Sequence, residues 1–282
     1  MTDSTLISTS ALADLEKDSD LVILDVRASL ADHGLGLRQY HQGHIPGARF
    51  VDMETDVSGQ VNGKNGRHPF PSSTRFCESM RRLGIKANDT IVIYDDGLCN
   101  FAARLWFTFR YFGCCNVQVL DGGISRWIAE KRMISQATPS WPNGDFCPGA
   151  PLEKIFTTKD IESNLVLKSY LILDARTRNR FNGLEEPIDP IAGHIPGSKN
   201  RPSGDNLTVQ GIFKSSTVLQ QEFLSLLGNT PANRVINSCG SGVTACCNHL
   251  AMLHAGIPAA GVYIGSWSEW IADKCHPLCT AS

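Results

Sequence analysis

The sequence predicts an α/β protein made of two similar halves, each a mainly parallel sheet flanked by helices. Four segments recur in the same order, displaced by about 143 to 150 residues. Within each half, short β-branched runs alternate with helical patterns. The short runs are apolar throughout, as strands covered on both faces are.

The repeats fix the elements one by one. LVILDVR (21–27) returns as YLILDAR (170–176), and GHIPGARF (43–50) as GHIPGSKN (193–200). TIVIYDDG (90–97) faces RVINSCGSG (234–242), and VLDGGISRWIAE (119–130) faces YIGSWSEWIAD (263–273). VILDV, IVIYD and VQVLD read as strands. FAARLWFTFRYFG and VTACCNHLAMLHAG read as helices closed by Gly113 and Gly256. This divides the chain into domains at 1–136 and 154–282. The Pro-, Gly- and Ser-rich residues 137–153 have the composition of a linker.

Composition narrows the function. The 282 residues are 42% hydrophobic and 19% charged, with net charge -2 and a pI near 6.4. Neither a nucleic acid nor an acidic membrane surface is an expected partner, since both select a basic face. No run approaches the roughly 18 to 20 apolar residues of a bilayer span. The first twenty residues lack a basic n-region, an apolar h-region and an Arg-rich presequence character, so a cytosolic protein is expected. The ten cysteines include no CxxC. Cys114-Cys115 and Cys246-Cys247 sit in apolar, helix-like stretches and are expected as reduced thiols packed like small hydrophobes. KCHPLC near the end offers three ligands at odd spacing, so no metal is expected.

One cysteine stands apart. In RVINSCGSGVTACCNHL a strand ends, Cys239 follows, and a turn with Gly240 and Gly242 leads into a helix. Sheets of this class place ligands there, at the carboxyl ends of strands. The glycines let the backbone curl with its N–H groups inward, and the helix start adds positive potential. A thiolate at that centre is stabilised and nucleophilic. A working nucleophile also requires a sulfur that solvent can reach. The facing residue in the first half is Asp95, which cannot carry transferable sulfur, so one active site per chain is expected.

CGSGVTA, both GHIPG turns, DAR followed by RF, and GSWSEW together resemble the tandem-domain rhodanese sulfurtransferases. The six-residue loop from Cys239 through Gly240, Ser241, Gly242 and Val243 to Thr244 is similar to that of the mercaptopyruvate-using branch. Thiosulfate-using relatives typically carry basic residues there. Cysteine phosphatases place an arginine six residues after the nucleophile, where this chain has Ala245.

The resemblance implies two rhodanese-like domains. It also implies ping-pong sulfur transfer from 3-mercaptopyruvate through a Cys239 persulfide, with pyruvate released. A thiol such as that of thioredoxin, or cyanide, is the implied acceptor, and no cofactor is needed. Thiosulfate as donor, and a non-catalytic sulfur-carrying or regulatory module, are the alternatives. Arg180 matches the family's substrate arginine, and guanidinium suits a carboxylate or sulfonate-like group. The first half has Ala31 at that offset, so the shared scaffold does not explain Arg180.

Gly240, Gly242, Val243 and Thr244 are the implied anion-binding loop. Ser241, with His68 and Glu54, matches the family's serine–histidine–acid relay across the domain interface. Arg27 and Arg176 recur with Asp25 and Asp174, and His44 recurs as His194. Presence in both halves marks these as structural. The family's second substrate arginine is missing from GLEEPIDPIAGHIPG, leaving Arg178, Lys199 or Arg201 as substitutes.

Overall fold

The computed structural model describes residues 4–15 and 20–280. Parts of the amino-terminal stretch read above, residues 1–3 and 16–19, lie outside the described residues. The chain forms two compact units. Unit 1 comprises residues 1–59, 71–153 and 209–213, and unit 2 comprises 60–70, 154–208 and 214–282. Residues 137–153, with the composition of a linker, thus fold with unit 1. Their Phe146 is buried edge-on against Phe76 and Phe109.

Unit 1 holds a five-stranded, wholly parallel sheet among the described residues. Its strands are β1 (Leu6–Ile7), β2 (Leu21–Asp25), β3 (Arg49–Phe50), β4 (Thr90–Tyr94) and β5 (Val117–Leu120), in the order β1-β5-β4-β2-β3. Unit 2 repeats it with β6 (Ile155–Phe156), β7 (Leu171–Asp174), β8 (Lys199–Asn200), β9 (Val235–Ser238) and β10 (Gly261–Tyr263), in the order β6-β10-β9-β7-β8. The β2–β4 register sets Ile23 beside Val92, and β7–β9 sets Ile172 beside Ile236. These apolar strands bury both faces, as their unbroken hydrophobic runs require.

The helices match in pairs. In unit 1 they are α1 (Thr9–Leu15), α2 (Leu35–Gln42), α3 (Ser73–Arg82), α4 (Asn100–Tyr111) and α5 (Gly123–Ala129). In unit 2 they are α6 (Thr158–Leu167), α7 (Arg178–Asn182), α8 (Ser216–Leu227), α9 (Thr244–His254) and α10 (Ser266–Trp270). Helix α4 packs on β4 and β5, and α9 on β9 and β10. Helix α9 is buried from Ala245 to Met252, which explains why its cysteines, alanines and leucine show no polar face.

Gly256, at φ +72°, ends α9, and the Ile257 N–H then donates to the Met252 carbonyl. Gly113, at φ +86°, ends α4 in the same way. Cys114 and Cys115 are therefore not helical, contrary to expectation. They follow the cap, in the link to β5, and Cys115 is exposed. Cys246 and Cys247 do lie buried within α9.

The Asp/Arg pairs are duplicated in detail. Arg27 binds Asp25 and donates to the Gly43 carbonyl at 2.8 Å, while Arg176 binds Asp174 and donates to the Gly193 carbonyl at 2.7 Å. His44 stacks on Tyr40 and bonds its carbonyl. His194 does the same with Phe181. Each pair ties a sheet strand to its GHIPG turn. Among the described residues, no helix is long and apolar enough to cross a membrane.

Candidate active site

The Cys239 loop joins β9 to α9, the crossover position where α/β sheets bind ligands. Gly242 takes φ +72°, and a Cβ there would fall 2.3 Å from the Ile264 carbonyl oxygen. Only glycine fits. This turn aims the Gly242 N–H at the Cys239 sulfur, 3.1 Å away. The Cys239 and Gly240 carbonyls accept from the Trp267 and Ser268 N–H groups at the start of α10, which fixes the loop from behind. Val243 is buried at the foot of α9, and Thr244 begins the helix.

The cradle contains a group the sequence did not reveal. Ser266 adopts φ +53°, and its buried hydroxyl accepts from the Cys239 N–H at 3.0 Å and the Gly242 N–H at 3.1 Å. It donates to the Tyr263 carbonyl at 2.8 Å and lies 3.9 Å from the Cys239 sulfur. GSWSEW was legible as a repeated motif, but not as a wall of this loop.

Unit 1 displays the same cradle filled by an anion. The Asp95 carboxylate accepts from the Gly97, Cys99, Phe101 and Ala102 N–H groups at 2.9 to 3.2 Å. Complete burial, reinforced by neighbouring Asp96, pushes its pKa up to about 6 against the pull of those N–H groups. The loop N–H groups thus favour the charged form, while burial opposes it more strongly.

Ser241 and His68 meet as the resemblance implies. The Ser241 hydroxyl and His68 Nδ1 are 2.8 Å apart, and both residues are buried in unit 2. Glu54 lies in unit 1, 3.5 Å from His33 Nδ1.

Arg180 is beside the loop, but it is joined by a cation that sequence reasoning missed. A methyl group built on Gly240 would stand 2.9 Å from Arg67 Nη2 and 3.4 Å from Arg180 Nη2. Both guanidinium groups therefore cover the loop. The substitutes expected for the second arginine are placed elsewhere. Arg178 pairs with Asp205 in the open, and Lys199 donates to the Leu226 carbonyl. Arg201 is held by Asn206 and Glu222. Arg67 precedes His68 in sequence, so the same turn delivers both. The signal was its position beside a candidate histidine.

Two carboxylates complete the site. Asp189 binds Arg67 and, at 3.0 Å, Arg180. Glu186 binds Arg180 at 2.8 Å and accepts from the Ile188 and Asp189 N–H groups. Neither was read from the sequence as functional.

One expectation fails. The Cys239 residue is only 1% exposed, not open to solvent. Arg67 and Arg180 stand over the neighbouring Gly240.

With this geometry established, comparison with known proteins is direct. A family model described as "Rhodanese-like domain" matches residues 8–130 and again 157–273. The chain belongs to the rhodanese family. Within the family it is 38% identical over 282 residues to a Pseudomonas aeruginosa protein named "Probable 3-mercaptopyruvate sulfurtransferase", covering 99% of each chain. It is 37% identical over 281 residues to a Mycobacterium tuberculosis protein with the provisional name thiosulfate sulfurtransferase, covering 97% of this chain and 96% of that one. The crystal structure of SseA from Escherichia coli, described among the 3-mercaptopyruvate sulfotransferases, has 30% identity and a TM-score of 0.82. That match covers 94% of this chain and all of SseA. The rhodanese match falls on both halves, as the duplication predicts.

Proposed function

We propose that this rhodanese is a sulfurtransferase that takes sulfur from 3-mercaptopyruvate onto Cys239 and passes it to a thiol. The observation that carries this reading is the 2.8 Å Ser241–His68 contact beside the nucleophile. Mercaptopyruvate leaves as an enolate that needs a proton and a polarised carbonyl, whereas thiosulfate leaves as weakly basic sulfite. A histidine-oriented hydroxyl serves the first chemistry and is idle in the second.

The Cys239 thiolate attacks the donor sulfur, and the C–S bond breaks. Its electron pair goes to the pyruvate enolate while Ser241 donates to the enolate oxygen. The persulfide gives up its S–H proton, and the enolate carbon gains one to complete pyruvate. The Cys239 persulfide anion then rests against the Gly242 N–H and the positive end of α9. An acceptor thiolate takes the outer sulfur and regenerates the Cys239 thiolate. Arg180 and Arg67 would hold the donor carboxylate, Gly240 leaving room for both.

A thioredoxin-type dithiol is the proposed acceptor, and the cytoplasm the proposed compartment. No disulfide joins the ten cysteines, which suits a reducing milieu. Thiosulfate is the second reading, favoured by the name of the Mycobacterium relative. The test gives purified protein each donor in parallel with cyanide as acceptor and measures thiocyanate. Mercaptopyruvate should give the larger kcat/KM. Product from thiosulfate alone would replace the first reading with the second, and product from neither would favour a sulfur-carrying module.

A further inference from the structure

Arg67 and Arg180 over the Cys239 loop, with Arg176, which shares Glu186, are matched by three carboxylates. Arg67, Arg176 and Arg180 lie in unit 2 with Glu186, Asp189 and Asp174, each arginine bound to at least one of the acids. The Asp189 side chain is 2% exposed and the Glu186 side chain 4%. Both acids lie in GLEEPIDP, the segment where the resemblance leads one to expect an arginine. The segment thus carries acids and no arginine.

Asp189 does two things at once. One carboxylate oxygen binds Arg67 Nη1 and the other binds Arg180 Nη2. It therefore spaces the two guanidinium groups that meet over Gly240. It also cancels one of their charges. Glu186 accepts the Asp189 N–H and so fixes the turn that carries it. Burial lowers the Arg67 pKa, and charge at Cys239 opposes that shift, so the arginine senses the nucleophile.

We propose that Asp189 is a specificity-determining residue of the donor site, bridging Arg67 and Arg180 so that a singly charged donor is accepted and a doubly charged one disfavoured. The inference rests on the proposed function insofar as the donor binds beside Cys239. A mercaptopyruvate carboxylate brings one negative charge to this neutral cluster and the thiolate next to it. Thiosulfate brings two. In a partly desolvated site the extra charge has no uncompensated cation to meet.

The test uses the full chain and two measurements. Asp189→Asn keeps the shape and removes the charge. The ratio of kcat/KM for thiosulfate to that for mercaptopyruvate should rise about tenfold, equivalent to about 1.4 kcal/mol. Asp189→Glu should leave the ratio within about threefold of wild type. A rise under about threefold in Asp189→Asn, or a fall, overturns the proposal.

The second measurement needs no sulfur transfer. Iodoacetamide labelling of Cys239 is followed by mass spectrometry of its peptide, with pyruvate or sulfate as protecting anion. In the wild type, pyruvate should protect at lower concentration than sulfate, and the reverse order overturns the proposal. This arm decides the matter if Asp189→Asn does not fold. If wild-type protein transfers sulfur from neither donor, the proposed function falls, while the protection order still judges Asp189.

Discussion

Ser266 and Gly123 occupy equivalent places in the two repeats and share one left-handed backbone conformation, φ +53° and +54°. In unit 1, a Cβ at position 123 would lie 2.6 Å from the Asp95 carbonyl oxygen and the Gly97 nitrogen. In unit 2 the loop admits a side chain there, and the Ser266 hydroxyl accepts two loop N–H groups. A left-handed serine costs about 1 to 3 kcal/mol, which these bonds offset.

Replacing Ser266 should therefore separate strain from hydrogen bonding. Ser266→Ala keeps the strained backbone and loses the acceptor, a destabilisation of about 1 to 3 kcal/mol. Ser266→Gly loses the same acceptor but relieves the strain, so it should be milder by about 1 kcal/mol. Urea unfolding midpoints rank the two. Glycine proving the worse substitution would refute this account.

Asp95 makes the stability of the fold depend on pH. Its folded pKa, about 6, stands above the ordinary value of 3.8. Its contribution is therefore fully present below about 3.8 and is lost as pH rises through about 6. Asp95→Asn cannot titrate. The stability of wild type relative to this variant should fall by about 2 kcal/mol between pH 4 and 7. Paired denaturation curves across that range provide the check, and a flat difference would count against it.

Ser241→Ala and His68→Asn should discriminate between donors. Turnover of 3-mercaptopyruvate should drop by about 10²- to 10⁴-fold, because the enolate loses its proton source. Thiosulfate turnover should drop far less. Steady-state kinetics with both donors measure this, and equal losses would remove the argument for mercaptopyruvate.

Arg67→Met should act mainly on binding. The KM for mercaptopyruvate should rise by about tenfold or more, since a charge-assisted contact contributes about 1.5 to 3 kcal/mol. Arg178→Met, whose partner is Asp205 in the open, should leave KM within about twofold. A reversed order would return Arg178 to the site.

Cys239→Ser should abolish transfer from either donor, because a hydroxyl cannot form the persulfide. Intact-mass spectrometry after donor addition should show one added sulfur in the wild type and none in the variant.

Local pattern made much of this legible. The strands around Ile23 and Ile172, the Gly113 and Gly256 caps and the Cys239 turn all follow from residues close in sequence. Cys114 and Cys115 were misread because their apolar run continues past the cap that ends α4. The Ser241–His68 contact needed the family resemblance, since 173 residues separate the pair. Arg67 and Asp189, 122 residues apart, had no resemblance to announce them.

The sequence by itself determined the duplication, the parallel α/β sheets and the turn that carries Cys239, because periodicity and turn chemistry act over a few residues. Only the tertiary structure decided which charges gather over Cys239, and that the sulfur is covered. Ion pairing depends on distance in space. Folding alone brought Arg67, Arg180, Glu186 and Asp189 within reach of one another, out of water, where their charges count.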